Sequence, residues 1–273
     1  MDIKQRLKEI KENNYKLPEG ERDQIIHEML FNIGSVDSEL RDDLIYCTFS
    51  KWMLNGDIPV MQLKEVYEAL FTEQHIFFGI GETDTDSVFT RSFSVLLIPL
   101  LLMADQRTPF LKAQDMVRMK DGVIQYIHEE KDYRGFVAGK GWAHSVAHIA
   151  DAMDELGKST VLSMGDKLEL LEAIRALICR KNIVYFNLED ERLTSAAVTI
   201  LSHERFTEIQ IEAWLKEFTN WDKSEVWNEE YVIISNIKNF LASLYFRLSR
   251  YDILSIYAGM TKEALQSMMR NYI

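Results

Sequence analysis

Ser163 to Ile178, SMGDKLELLEAIRALI, decides the fold class. Ser163 opens an S-x-x-D pattern, the spacing at which a hydroxyl and a carboxylate satisfy each other's backbone N–H groups at a helix start. Leu170, Leu171, Ile174, Leu177 and Ile178 then recur at three- and four-residue intervals, which places them on one buried stripe. Thr207 repeats the arrangement as T-x-x-Q before Ile211, Trp214, Leu215 and Phe218.

Working outward, the same periodicity predicts helices near 2–13, 19–32, 37–54, 60–72, 86–105, 112–130, 142–156, 164–181, 190–203, 208–219, 226–250 and 261–271. Hardly any segment alternates as a strand does, and only Pro18, Pro59, Pro99 and Pro109 interrupt the chain. The expectation is an all-α protein. Short connections make successive helices antiparallel neighbours, and a helix pair with its loops occupies roughly 40 residues, the period of HEAT and armadillo repeats. The expected architecture is therefore a stack of antiparallel helical hairpins, a HEAT/armadillo-like right-handed α-solenoid, against the alternative of a globular helical bundle. No Gly-, Ser- or Pro-rich linker divides it, so residues 1–273 read as one domain. The longest irregular stretches are Glu73 to Asp86 and Arg134 to Gly141.

Composition narrows the function. Thirty-one Lys and Arg against 43 Asp and Glu leave a net charge of −12, which disfavours nucleic acid and anionic membranes as partners. The N-terminal MDIKQRLKEIKENN is charged throughout, without the apolar core of a signal peptide. Val95 to Ala104, VLLIPLLLMA, is about half the length of a membrane span and reads as a buried helix. Cys47 and Cys179 read as buried thiols of a reducing compartment. A cytoplasmic protein is expected.

The densest cluster of chemistry is GKGWAHSVAHIADAMD, Gly139 to Asp154. A helix beginning near Trp142 would align His144, His148 and Asp151 at i, i+4 and i+7, a stripe that can present two imidazoles and a carboxylate to one divalent metal. The run lacks the Glu of the H-E-x-x-H zinc proteases, and His128, Asp132 and His203 are arbitrary choices for a further ligand. The two imidazoles serve equally well as structural groups at a close helix crossing, where Ala143, Ala147 and Ala150 let backbones approach. Upstream, Arg134 and Lys140 flank flexible glycines at the helix start, an arrangement that could hold a carboxylate or a sugar phosphate.

Further along, Asn236 and Asn239 share the polar edge of a long helix, where amides either tie off loops or contact a ligand. Among the tryptophans Trp52, Trp142, Trp214, Trp221 and Trp227, the last two flank the polar loop 222–225 and are the surface candidates.

GWAHSVAHIAD (Gly141 to Asp151), together with SVFTRSFSVLLIPLLL (Ser87 to Leu102), DYRGFV (Asp132 to Val137) and NIKNFLASLYFRL (Asn236 to Leu248), resembles a bacterial family, the domain of unknown function 2785. The resemblance spans most of the chain. It implies a soluble helical protein, carries over no activity, and marks Arg91, Arg134, Trp142, His144, His148 and Asp151 as positions matching the family's motifs.

Two functions follow as expectations. The first is a cytosolic helical-repeat scaffold that binds a protein partner or small ligand on a concave face, with a polar pocket around the GWAHSVAHIAD helix. The second is a metal-dependent hydrolase in which His144, His148 and Asp151 hold the ion.

Overall fold

A computed structural model describes residues 2–18, 20–221 and 226–270. The polar loop between Trp221 and Trp227 lies outside the described residues. The chain divides into two compact units, Met1–Ala152 and Met153–Ile273. Both are built almost wholly of helices, as the periodicity predicts.

The first unit contains α1 (Ile3–Glu12), α2 (Arg22–Phe31), a π-helical segment Glu39–Tyr46 that runs into α3 (Cys47–Asn55), α4 (Val60–Leu70), α5 (Ser87–Val95), α6 (Leu97–Arg107) and α7 (Ala113–Glu129). Two short strands follow, β1 (Phe136–Val137) and β2 (Gly141–Trp142), paired antiparallel with Phe136 opposite Trp142. α8 (Ser145–Gly157) spans the boundary. The second unit holds α9 (Met164–Ile178), α10 (Glu189–His203), α11 (Glu208–Lys216), α12 (Trp227–Leu248) and α13 (Ser255–Met269).

The two sequence caps form as expected. Ser163 and Thr207 accept from the backbone N–H of Asp166 and Gln210 while those side chains reach back, and every residue of the two apolar stripes is buried. In the second unit Trp214, Phe218 and Phe240 form a ring cluster, and Trp214 donates its indole N–H to Leu171 O at 2.9 Å. In the first unit Trp52 is fully buried and donates to Tyr15 O at 2.7 Å.

The apolar stretch at Val95 to Ala104 belongs to a longer helical run than its sequence suggests. Ser87–Arg107 is long and apolar enough to cross a membrane by length and composition, but 83% of its most apolar window is buried inside the protein. Pro99 sits in the first turn of α6, where a missing N–H breaks no helical bond.

Arg91 on α5 shows how the preceding irregular stretch is held. Its guanidinium is fully buried and pairs with Glu130 at 2.7 and 2.9 Å, while Nη1 donates to Phe78 O, Gly79 O and Ser87 Oγ. A buried cation survives only when its donors are matched in this way. Arg91 is a clasp inside the fold rather than an arm toward a ligand.

A hairpin platform as the candidate functional site

The segment expected to be helical from Trp142 begins instead as a hairpin, and α8 starts three residues later. Gly139 (φ +75°) and Gly141 (φ +82°) occupy the left-handed region and turn the chain. The N–H groups of Ala143 and His144 both point at Gly135 O, at 2.8 and 3.3 Å, and so cannot face the solvent at a helix start. His144 is itself left-handed (φ +51°) and precedes the helix, its carbonyl accepting the His148 N–H at 2.9 Å. Ser145 then donates to Asp132 O at 2.6 Å, fixing the first helical residue.

A residue about a hundred positions away clamps this hairpin. Arg41, in the π-helical segment, is fully buried and donates to Lys140 O (2.9 Å), Trp142 O (3.3 Å) and Ser35 O (2.6 Å). Its guanidinium lies 4.3 Å from the Phe89 ring centre and 4.7 Å from that of Phe93. Burial lowers its pKa, against which the Asp42 carboxylate 2.8 Å away works to keep the charge. Ala143 seals the base of the hairpin against Val88 and Phe89, with Val137 packed beside them.

What the clamp presents is aromatic. Trp142 and His144 stack with ring centres 4.1 Å apart and planes within 2°, and Phe136 meets Trp142 edge-on at 5.1 Å. Phe136 is 58% exposed and Trp142 39%. Such ring arrangements exceed simple area burial by about 0.5–1.5 kcal/mol per pair, so the exposed rings are held in place rather than free to collapse.

His144 precedes α8 rather than lying within it, yet its ring centre stands 5.8 Å from that of His148, so the two imidazoles are brought together as the spacing suggests. His148 is buried and its Nδ1, 3.1 Å from Ser92 O, must carry a proton to donate to that carbonyl; its ring packs edge-on against Phe93 at 4.9 Å. Asp151 is half-buried and makes its own interactions within the fold. Among the described residues, no group of three or more His, Cys, Asp or Glu side chains is arranged to hold a metal ion.

The cations considered for an anion site are neutralised locally. Arg134 Nε and Nη2 grip the Asp132 carboxylate at 2.6–3.0 Å, and Nη2 also donates to Thr85 O. Lys140 Nζ stands 2.5 and 2.8 Å from the Asp86 oxygens.

Asn236 and Asn239 belong to the second unit. Asn236 is buried and ties off a loop, donating to Ile183 O at 2.8 Å and accepting from the Tyr185 N–H at 3.3 Å, whereas Asn239 is exposed. Trp227 is 74% exposed, in line with its reading as a surface residue.

Sequence reasoning missed Arg41 as the organiser of the site. It lies in the run Asp37 to Arg41, DSELR, whose charges suit any helix start and give no sign of a distant partner.

A family model described as protein of unknown function, DUF2785, matches residues 76–246, which include the hairpin and all of α8. No curated protein and no solved structure matches the chain.

Proposed function

Because the chain belongs to the family described as protein of unknown function, DUF2785, its activity has to be read from its own side chains, and we propose that it is a binding scaffold whose hairpin offers Phe136, Trp142 and His144 to a protein partner. The observation that carries this reading is the stacked Trp142–His144 pair, part exposed yet held by backbone bonds and the Arg41 clamp. Rigid aromatic anchors at a surface are the groups that dominate protein interfaces, because they bury much apolar area and lose little conformational freedom.

The polar groups around the platform favour recognition over turnover. Arg134 and Lys140 are engaged with Asp132 and Asp86, and the His148 imidazole bonds a backbone carbonyl. We read the contacts of α10 with α12 and of α11 with α13 as the packing of stacked helical hairpins of the HEAT/armadillo kind. The acidic balance of the chain supports a cytosolic location.

The test is a photo-crosslinking amino acid placed at Phe136 in the full chain, expressed in cells. A discrete protein adduct that disappears when Trp142→Ala is added, with the circular dichroism unchanged, supports the platform. Trp142 is suited to removal because Arg41 holds its carbonyl, which alanine retains. An adduct indifferent to Trp142→Ala, or none, rejects it.

A further inference from the structure

Asn55 and Gly56 close α3, and no other asparagine in the sequence is followed by glycine. Both residues are exposed, and among the described residues nothing is bonded to the Asn55 side-chain amide. Gly56 carries no side chain to screen its nitrogen from the asparagine beside it.

The backbone there is held lightly. The Gly56 N–H reaches Met53 O at 3.2 Å, and the Asp57 N–H reaches Trp52 O at 2.8 Å. These two bonds close the last turn at the surface, where helices fray first. On either side Trp52, Met53 and Ile58 are buried, so the turn can open without releasing the helix. The sequence holds one chemically comparable pair, Asp121–Gly122, in a different setting. It lies inside α7, and Gly122 is buried so closely against Phe71 that a Cβ would stand 2.5 Å from a ring carbon.

A cation stands beside the exposed pair. Arg107 Nη1 donates to Leu54 O, and its guanidinium carbon is 3.8 Å from the position that a Cβ on Gly56 would take. Arg107 is exposed and has no carboxylate within ion-pair distance among the described residues.

We propose that Asn55–Gly56 is a site of spontaneous deamidation whose product carboxylate pairs with Arg107. Asparagine is among the chemically labile residues. In the helix its Cγ cannot meet the following nitrogen, so the last turn must first open. Water then takes the Gly56 N–H proton, and the nitrogen's electron pair forms a bond to Asn55 Cγ. The C–N bond of the side-chain amide breaks, ammonia leaves with a proton returned by water, and a succinimide ring closes. A second water opens the ring. Breaking the new bond to Cγ leaves aspartate, whereas breaking the bond to the main-chain carbonyl carbon leaves isoaspartate. Either way one water is consumed, one ammonia is released, and a neutral amide becomes a carboxylate beside a cation that has none.

The full chain is incubated at mildly alkaline pH, native and in urea, and followed by peptide mass spectrometry with isoaspartate methyltransferase labelling. Among the asparagine peptides, the one carrying Asn55 should gain one mass unit first. The native rate should fall about 5- to 100-fold below that in urea, the range set by opening two exposed hydrogen bonds. Asp121 should isomerise only in urea. In the Asn55→Asp chain the new carboxyl should titrate below about 3.9, the ordinary aspartate value, and Arg107→Gln should return it there. Both substituted side chains are exposed, so the variants should fold, and their amide spectra check this directly. A native rate at Asn55 more than about a hundredfold below that in urea, an earlier gain at another asparagine, native isomerisation of Asp121 at the Asn55 rate, or a carboxyl indifferent to Arg107→Gln would each overturn the proposal.

Discussion

Replacing Arg41 with methionine should destabilise the first unit by about 3–5 kcal/mol, the usual result of removing one partner from a buried charged network. Methionine can keep apolar contact with the Phe89 and Phe93 rings but donates nothing. Three carbonyls lose their donor: Ser35 O, Lys140 O and Trp142 O, now bonded at 2.6, 2.9 and 3.3 Å. A buried acceptor left without a donor costs about 1–3 kcal/mol, which would put the three together at about 3–9, but Ser35 and Lys140 are half-buried and Trp142 is exposed, so water reaching their carbonyls keeps the total near the lower end. Asp42 also loses the cation 2.8 Å away. Against this, the dehydration that lowers the Arg41 pKa is relieved, which returns several kcal/mol and brings the net to the lower half of that range. The assay is urea unfolding combined with native-state hydrogen exchange. The Lys140 and Ala143 amides, which donate to Val137 O and Gly135 O, should lose protection more than amides in α6 or α7. A loss below about 1 kcal/mol, or hairpin amides protected as in the wild type, would refute the clamp.

Further outcomes follow from single sites. Gly141→Ala should cost more than Gly139→Ala, by about 1–3 kcal/mol, because a Cβ at 141 would meet Ser38 Cβ at 2.9 Å and Arg41 Nη2 at 3.2 Å whereas 139 faces open space; equal melting temperatures would contradict this. Burial lowers the His75 pKa below 6.5, so its contribution to stability is complete above pH 6.5 and is lost as pH falls below that value. His75→Gln should flatten the acid limb of a stability–pH curve measured by urea midpoints, and an unchanged limb would count against it. Burial raises the Cys179 thiol from 9.0 to about 11, so the stability it contributes is complete below pH 9 and is lost as pH rises toward 11. At pH 8 its reaction with a thiol reagent should be about 100-fold slower in the native protein than in urea, and comparable rates would show an accessible thiolate.

Local signals carried most of the fold. Ser163 and Thr207 announce their helices because a cap is a contact between residues three apart, visible in any short window. The start of α8 escaped the same logic. Trp142 to Asp154 has sound helical periodicity, yet its first residues are pulled into a hairpin by Gly135 O and by an arginine about a hundred residues upstream. The histidine spacing correctly placed the two imidazoles beside each other, 5.8 Å between ring centres, but not the backbone that does it: His144 stacks on Trp142 before the helix and His148 is buried within it. Arg91 entered only as a position matching the family's motifs, and Arg134 also as a cation near a helix start; neither was legible as an internal clasp, since for Arg91 Glu130 and the carbonyls at Phe78 and Gly79 become neighbours only after folding. Asn236 fitted the loop-tying alternative.

The Arg41 clamp also orders events in time. A ribosome adds about 5–20 residues per second, so the carbonyls of Lys140 and Trp142 emerge several seconds after the guanidinium that holds them. Until then the arginine can reach Ser35 O, Asp42 and the Phe89 and Phe93 rings, but two of its three carbonyl partners are missing. The first unit therefore completes its core only when the hairpin arrives, which makes a nascent chain stalled before Gly141 the form most exposed to chaperones and proteases.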